Sequence, residues 1–404
     1  MVLEIQLTLA IAMANIWASS RQGVGRTAIA VATLGIVFLC SGVSASPTAN
    51  NATPGVVVAH SAAKTAIYLG SPAIAILDDG SYVITHDTFG PNSPRDTTEV
   101  YRSRDRGQSW TKLADVKGQY FSAVFVHRGS LYLIGTSRLE GAVVIRRSLD
   151  DGKTWSVPTD ANSGVLASDG KYFSAATPIV TAGGRLWKSM ETINGGVAAG
   201  LISADVNSDL CKATNWTFTA ALGSDSQWLD GKFKGWLEGN AVVTPEGKVV
   251  DVLRVYYDFQ PEQAAIVTVD EDERHLAFDP RTGFVAMPGA GKKFTIRFDP
   301  SSGLYWSLTN AVLPGSYHGN NFERARNTLV LISSSDLRHW DVRRVVLHAD
   351  NSDTHGYQYV DWVFDGSDIA AAIRTASDDD EGGAHSQHDS NFVTFLRVSN
   401  FANP

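Results

Sequence analysis

The chain has 404 residues, of which 10% are aromatic and 19% are charged, with 36 glycines and a formal net charge of −8 at pH 7. This composition excludes a disordered chain and favours a folded protein with many turns and little long amphipathic helix. The negative charge argues against a surface that coats nucleic acid, so we expect no nucleic-acid partner.

The N-terminal segment has the pattern of a leader. In residues 26–45 an arginine precedes an apolar stretch that ends in Val43-Ser44-Ala45, a small-x-small pattern at which signal peptides are cleaved. We therefore predict a cleaved leader over 1–45, secretion, and a single domain over 46–404 without stable membrane association once processed. The alternative is an uncleaved membrane anchor, because the apolar run is nearly long enough to span a bilayer.

Six units follow in which an apolar run enters a glycine-containing turn and leaves as a second apolar run. The turns are LDDGSY (77–82), VHRGSLY (126–132), TAGGRLW (181–187), TPEGKVV (244–250), DPSSGLYW (299–306) and FDGSDIA (364–370). Hairpins that recur at intervals of roughly 50 to 60 residues are typical of a β-propeller with four-stranded antiparallel blades.

The number of blades follows from the number of units. We predict an all-β, six-bladed propeller, and seven blades stay open because 206–235 and 270–292 are long enough to hold another. Residues 55–68 are predicted to supply a strand that pairs with the last blade, since ring closure removes free sheet edges.

Two of the units close with S-x-D-x-G-x-[ST]-W, as SRDRGQSW (103–110) and SLDDGKTW (148–155). The Asp accepts hydrogen bonds from its own turn, the Gly takes a positive φ, and the Trp packs on the blade. On these Asp boxes (BNR repeats) the chain resembles the sialidase (neuraminidase) superfamily over about 55–400.

The sequence contains no glycine-rich phosphate-binding loop. We expect neither a cofactor nor a bound metal.

Propeller geometry predicts which residues line the mouth of the central channel. The first strand of each blade begins there and the second returns there, which selects positions about nine before and six to nine after each turn glycine. Three arginines, a glutamate and a tyrosine at one concave site would clamp a sugar carboxylate and stabilise a charged transition state. With the loops between second and third strands, the predicted substrate-binding residues are Arg254, Arg374, Arg138, Glu191, Tyr120, Arg326 and His385.

The sialidase resemblance implies catalytic roles at matching positions. WLEGNAVVTPEGKVVDVLR supplies Glu238 and Arg254, GYQYVDWVFDG supplies Tyr357, and PNSPRDTTEVYRS supplies Asp96. By this resemblance Glu238 withdraws the phenol proton of Tyr357, Tyr357 attacks the anomeric carbon, and Asp96 protonates the leaving oxygen. The expected protein is a monomeric, exo-acting glycoside hydrolase whose partner is an oligo- or polysaccharide with a carboxylate.

Two departures from the family pattern support alternatives. The family opens its first blade with Arg-Ile/Leu-Pro, where this chain has Gly70-Ser71-Pro72-Ala73-Ile74, and it has Tyr-Glu where this chain has Ile373-Arg374. The His86-Asp87 pair favours a polysaccharide lyase on rhamnosyl-glucuronate chains, in which His86 removes the C5 proton and the bond breaks by β-elimination. A second alternative is a glycan-binding propeller that has kept the clamp and lost the chemistry.

Overall fold

The computed structural model describes residues 53–403, so the predicted leader and its cleavage site lie outside the described residues. The described residues form an all-β architecture of antiparallel sheets. Their helical segments are short: the 3₁₀ turns Ala63–Thr65, Ala213–Asn215 and Phe322–Arg324, and helix α1, Trp228–Gly231. None of the helices in 53–403 has the length and apolar character needed to cross a bilayer.

Six sheets of four or five strands follow one another along the chain, and we number them 1 to 6. The first strand, β1 (Val56–His60), belongs to the last sheet. Sheet 1 contains β2 (Tyr68–Leu69), β3 (Ala73–Ile76), β4 (Tyr82–Phe89), β5 (Thr97–Ser103) and β6 (Thr111–Lys117). Sheet 2 contains β7 (Tyr120–His127), β8 (Ser130–Thr136), β9 (Val143–Ser148) and β10 (Val165–Ala167).

Sheet 3 is preceded and interrupted by a small sheet that the sequence did not predict. The small sheet contains β11 (Tyr172–Phe173), β14 (Glu191–Ile193) and β15 (Val197–Ala198). Sheet 3 contains β12 (Val180–Ala182), β13 (Arg185–Ser189), β16 (Leu201–Asp205) and β17 (Trp216–Phe218).

The last three sheets follow in the same hairpin order. Sheet 4 contains β18 (Trp236–Val243), β19 (Val249–Val255), β20 (Gln263–Val269), β21 (Leu276–Ala277) and β22 (Phe284–Ala286). Sheet 5 contains β23 (Thr295–Asp299), β24 (Leu304–Thr309), β25 (Thr328–Ser334) and β26 (Asp341–His348). Sheet 6 contains β27 (Gly356–Asp365), β28 (Asp368–Ala376) and β29 (Phe392–Val398), with β1 paired to β29.

Each predicted turn joins two successive strands of one of these sheets, and the predicted N-terminal strand pairs with the last sheet. The long segments 206–235 and 270–292 contribute β17, α1, β21 and β22, so within the described residues they extend sheets 3 and 4.

Six apolar clusters hold the sheets together, and each cluster joins two successive sheets. One cluster contains Val83 of sheet 1 and Leu133 of sheet 2, and the corresponding clusters join sheets 2 to 3, 3 to 4, 4 to 5 and 5 to 6. The sixth joins sheet 6 to sheet 1 through residues such as Ile84 and Val393. Burial of β-branched and aromatic side chains between sheets therefore stabilises the first and last sheets as well as consecutive ones.

The Asp boxes form the hydrogen bonds that their sequence predicts. Asp105 Oδ1 accepts the N–H of Ser109 at 2.9 Å and the hydroxyl of Ser103 at 2.7 Å, while Gly107 N–H donates to Ser103 Oγ at 2.8 Å. The pattern recurs around Asp150 in the second box. The hydrogen bonds from Ser109 and Ser103 lower the pKa of Asp105 to about 2. These boxes therefore stabilise turns.

Gly107 offers a test of sheet-to-sheet packing. Its φ is +91°, and a Cβ there would lie 2.1 Å from the Phe395 ring of sheet 6. Gly80 also has a positive φ (+78°), but a Cβ there would have no neighbour within 4 Å. We expect Gly107→Ala to lower the free energy of unfolding by about 2 kcal/mol more than Gly80→Ala, as measured by denaturant titration. Equal losses would contradict this close approach.

Candidate active site

Three first strands carry a β-bulge at the end away from their turn glycine. The register shifts lie between Tyr120 and Ala123 in β7, Leu237 and Asn240 in β18, and Gln358 and Asp361 in β27. Bulges re-aim side chains, and non-glycine residues with positive φ concentrate at functional sites because they are strained. The first residue inside each bulge has such a φ: Phe121 (47°), Glu238 (57°) and Tyr359 (52°).

Glu238 and Arg254 form a buried ion pair, and each side chain is only 3% exposed. Arg254 Nη1 donates to Glu238 Oε2 at 2.8 Å, and its Nε donates to the Gly291 carbonyl at 2.8 Å. The guanidinium also lies 4.6 Å from the centre of the Tyr256 ring. The ion pair engages Glu238 Oε2 and leaves Oε1 outside it.

Arg326 and Arg374 lie on Tyr359. Their guanidinium carbons are 5.6 Å and 4.6 Å from the centre of its ring, and Arg374 also lies 4.2 Å from the centre of the Phe89 ring. Arg326 Nη1 donates to Gln358 Oε1 at 2.5 Å. Burial lowers the pKa of both arginines, that of Arg326 to about 10. Both guanidiniums therefore sit where water stabilises their charge poorly.

Glu191 supports the bulge at Glu238. It lies in β14, is buried, and its Oε1 accepts the N–H of Gly239 at 2.7 Å. A Cβ at Gly239 would lie 2.2 Å from Ser189 Oγ, so the bulge requires glycine there. Burial raises the pKa of Glu191, and the neighbouring Lys188 opposes that rise. The structure thus places Glu191, predicted to bind substrate, under the bulge.

Asp87 and Tyr120 are buried beside the arginines. Asp87 Oδ2 accepts the N–H of Phe121 at 2.9 Å, while Oδ1 faces Gly70 and has no hydrogen-bond partner among the described residues. Burial raises the pKa of Asp87 to about 7, and the positive charge of Arg374 limits the rise. Burial and the nearby Asp87 also raise the pKa of Tyr120. Asp87 therefore belongs to the site, although the reactive role in the His86-Asp87 pair was predicted for His86.

Asp96 immediately precedes β5 and is half-buried. Its carbonyl accepts the N–H groups of Gly118 and Gln119, and its Oδ1 accepts the Thr97 hydroxyl at 2.8 Å. Because Gln119 immediately precedes Tyr120, Asp96 lies next to the first strand of sheet 2 and remains accessible to solvent.

Tyr357, the predicted nucleophile, lies elsewhere. Its side chain is 3% exposed and packs in the apolar cluster that joins sheets 5 and 6, with residues such as Trp306 and Ile373. Tyr359, two residues further on, is the tyrosine that contacts Arg326 and Arg374. Counting nine residues back from Gly366 selects Tyr357 instead of Tyr359, because Gly366 is the first residue of a two-residue loop.

His86 and Arg138 are not brought into the arginine cluster. His86 is buried on the opposite face of β4 from Asp87, where its ring stacks on Tyr101 and its Nε2 lies 3.8 Å from Glu99 Oε2. Burial lowers its pKa. Arg138 is exposed just after β8.

His385 belongs to the loop that supports Arg374. Its Nδ1 lies 2.8 Å from Asp389 Oδ2, and its ring stacks on Tyr68. In the same loop, the carbonyl of His388 accepts a hydrogen bond from Arg374 Nη2. Within 53–403, no group of three or more His, Cys, Asp or Glu side chains is arranged to hold a metal ion.

Comparisons with known proteins agree with this architecture. A Hadza microbial sialidase shares 15% identity, with a TM-score of 0.58 over 85% of this chain and 68% of that one. A protein of unknown function from Dyadobacter fermentans shares 13% identity, with a TM-score of 0.56 over 86% and 99%. An α-L-arabinofuranosidase from Fusarium graminearum, in complex with an iminosugar inhibitor, shares 11% identity, with a TM-score of 0.53 over 85% and 96%.

The chain has the β-propeller fold of the sialidase and the arabinofuranosidase. The resemblance to the sialidase superfamily that the Asp boxes predicted is thereby confirmed at the level of the fold. No family model matches the sequence, and no curated protein matches it. At 11–15% identity the likeness identifies the fold, and the activity has to be argued from the site.

Proposed function

We propose that the chain is a secreted carbohydrate-active enzyme on a six-bladed propeller, a sialidase-type, exo-acting glycoside hydrolase that cleaves an acidic sugar. The six successive sheets, each packed on two neighbours, support the blade count. The fold is compatible with several reactions on glycans, so the choice among them rests on the residues around Tyr359.

The observation that carries the proposal is buried positive charge that forms no ion pair with a carboxylate of residues 53–403. Arg326 and Arg374 are 5% and 4% exposed, and among residues 53–403 neither forms an ion pair with a carboxylate. A buried charge costs free energy unless a counter-charge and hydrogen bonds compensate it. A sugar carboxylate held by these two guanidiniums, with Arg254 beside them, would supply that compensation through planar, bidentate contacts.

The proposed reaction uses a covalent intermediate. Glu238 accepts the phenol proton of Tyr359, and the phenolate oxygen attacks the anomeric carbon as the glycosidic bond breaks. Asp96 donates a proton to the leaving oxygen, then removes one from the water that hydrolyses the tyrosyl–sugar bond. The leaving oxygen departs as a hydroxyl, the sugar is released with retained configuration, and both carboxyl groups return to their starting states.

The experiment that tests the proposal compares three outcomes. The protein is incubated with aryl sialosides, aryl glucuronides and a rhamnosyl-glucuronate polysaccharide, and reducing ends and ultraviolet absorbance are both followed. We expect new reducing ends from an aryl acid glycoside without the absorbance of an unsaturated uronate. Appearance of that absorbance would replace the hydrolase with a lyase. Tight binding of the acidic sugar without turnover would show that the protein binds glycans but does not cleave them.

A further inference from the structure

The loop over residues 256–259 follows β19 beside Arg254 and carries an exposed aromatic side chain, Phe259. We call this loop the rim. Strand β19 ends one residue after Arg254, and Tyr256 remains under its guanidinium, so residues 257–259 emerge at the same end of the sheet as the site. Phe259 is 42% exposed, whereas most large apolar residues of the described part of the chain are buried. Position and exposure together make this ring available to a molecule bound at the site.

Neighbouring residues hold the ring in place. Phe259 packs against Tyr257 with ring centres 5.2 Å apart, and the ammonium of Lys232 lies 4.8 Å from the centre of the Phe259 ring. The loop is tied to segment 232–235 by backbone hydrogen bonds between Tyr256 and both Lys234 and Gly235, and by the ion pair of Lys234 with Asp258. The ring is therefore positioned before any ligand binds, which reduces the entropy lost on binding.

Segment 228–235 is itself anchored by aromatic packing. Trp228 lies against Phe233, Trp236 and Phe278, with ring centres 4.9 to 5.3 Å apart. Lys232 extends from this anchored segment into solvent, and its ammonium has no carboxylate partner within residues 53–403. The rim thus offers an apolar ring beside an ammonium that is free to donate hydrogen bonds.

We propose that Phe259 and Lys232 form a second sugar subsite, which binds the glycosyl unit to which the acidic sugar is linked. The C–H face of a pyranose packs on an aromatic ring, and its hydroxyl or anionic substituents accept hydrogen bonds from an ammonium. The inference rests on the proposed function, because the arginine cluster must hold the acidic sugar first. It narrows the substrate to an oligosaccharide with an acidic sugar at its non-reducing end.

The test measures binding by calorimetry in a Tyr359→Phe background, which prevents turnover. The probes are two matched pairs: methyl sialoside with sialyllactose, and methyl glucuronide with a glucuronate-terminated tetrasaccharide. We expect Phe259→Ala to weaken binding of the oligosaccharide of the recognised acid about tenfold and to leave binding of its methyl glycoside unchanged. The matched control is Phe298→Ala, because Phe298 is 43% exposed but lies next to the turn at the opposite end of β23.

The two proposals fail in different ways. If neither methyl glycoside binds, the acidic-sugar site is wrong, and the second subsite is rejected with it. If a methyl glycoside binds but its oligosaccharide binds no more tightly, or if Phe259→Ala behaves like Phe298→Ala, the second subsite alone is rejected.

Discussion

We expect Tyr359→Phe to lower kcat at least about a thousandfold while binding of the acidic sugar stays within about threefold of the unchanged protein. The substitution removes only the phenol oxygen that would form the bond to the anomeric carbon. The ring that contacts Arg326 and Arg374 remains, so the carboxylate clamp keeps its geometry. Steady-state kinetics with an aryl acid glycoside gives kcat, and calorimetry with the free acid gives the affinity.

Tyr357→Phe is the matched control for this prediction. Tyr357 lies two residues away on the same strand and packs in the cluster between sheets 5 and 6, so loss of its hydroxyl should change kcat by less than about twofold. The reverse result, with Tyr357→Phe inactive and Tyr359→Phe active, would restore the assignment made from the sequence.

The choice between Tyr357 and Tyr359 shows how far counting along the chain can locate a side chain. Glu238, Phe121 and Tyr359 occupy equivalent bulge positions, but they precede their turn glycines Gly247, Gly129 and Gly366 by nine, eight and seven residues. The reason is loop length and the place of the glycine in it: β7 and β27 close on two-residue loops, whereas the loop after β18 is longer. The distance from a turn glycine is therefore reliable to within about two residues.

Strand alternation explains the outcome at His86 and Asp87. Adjacent residues of a strand point to opposite faces, so only one of the two can reach the arginine cluster. The alternative lyase reaction was assigned to His86, whose ring lies against Tyr101 on the far face. The structure adds that Gly70, which has no side chain, leaves space for the carboxylate of Asp87.

The charged residues of the site were predicted better than its aromatic residues. The sequence placed Glu238 beside Arg254 because both follow from one well-defined hairpin, and the structure pairs them. Arg374 and Arg326 were also selected, and both contact Tyr359. Arginine is seldom buried unless its charge is paired, so arginines at strand ends were reasonable candidates for contact with an anionic ligand. The bulges depend on contacts between sheets, which a single strand sequence does not encode.

Asp87 makes the free energy of unfolding depend on pH. In the unfolded chain its pKa is near the ordinary value of 3.8, whereas burial raises the pKa to about 7 in the folded protein. Between these values the folded protein holds a proton that the unfolded chain has released. The stabilising contribution of protonated Asp87 is therefore fully present below pH 4 and is lost as pH rises through about 7. A change of about three pKa units corresponds to about 4 kcal/mol.

We expect Asp87→Asn to remove this dependence, because asparagine resembles the protonated carboxyl and its oxygen can still accept the N–H of Phe121. Relative to the unchanged protein, the variant should gain up to about 4 kcal/mol in the free energy of unfolding between pH 4 and pH 8, measured by denaturant titration at each pH. Parallel stability curves for the two proteins would contradict a raised pKa of Asp87.

In the unchanged protein, ionised Asp87 also offsets the positive charge of Arg374 above pH 7. The affinity for an acidic sugar should therefore fall above pH 7 in the unchanged protein, and it should not fall in the Asp87→Asn variant.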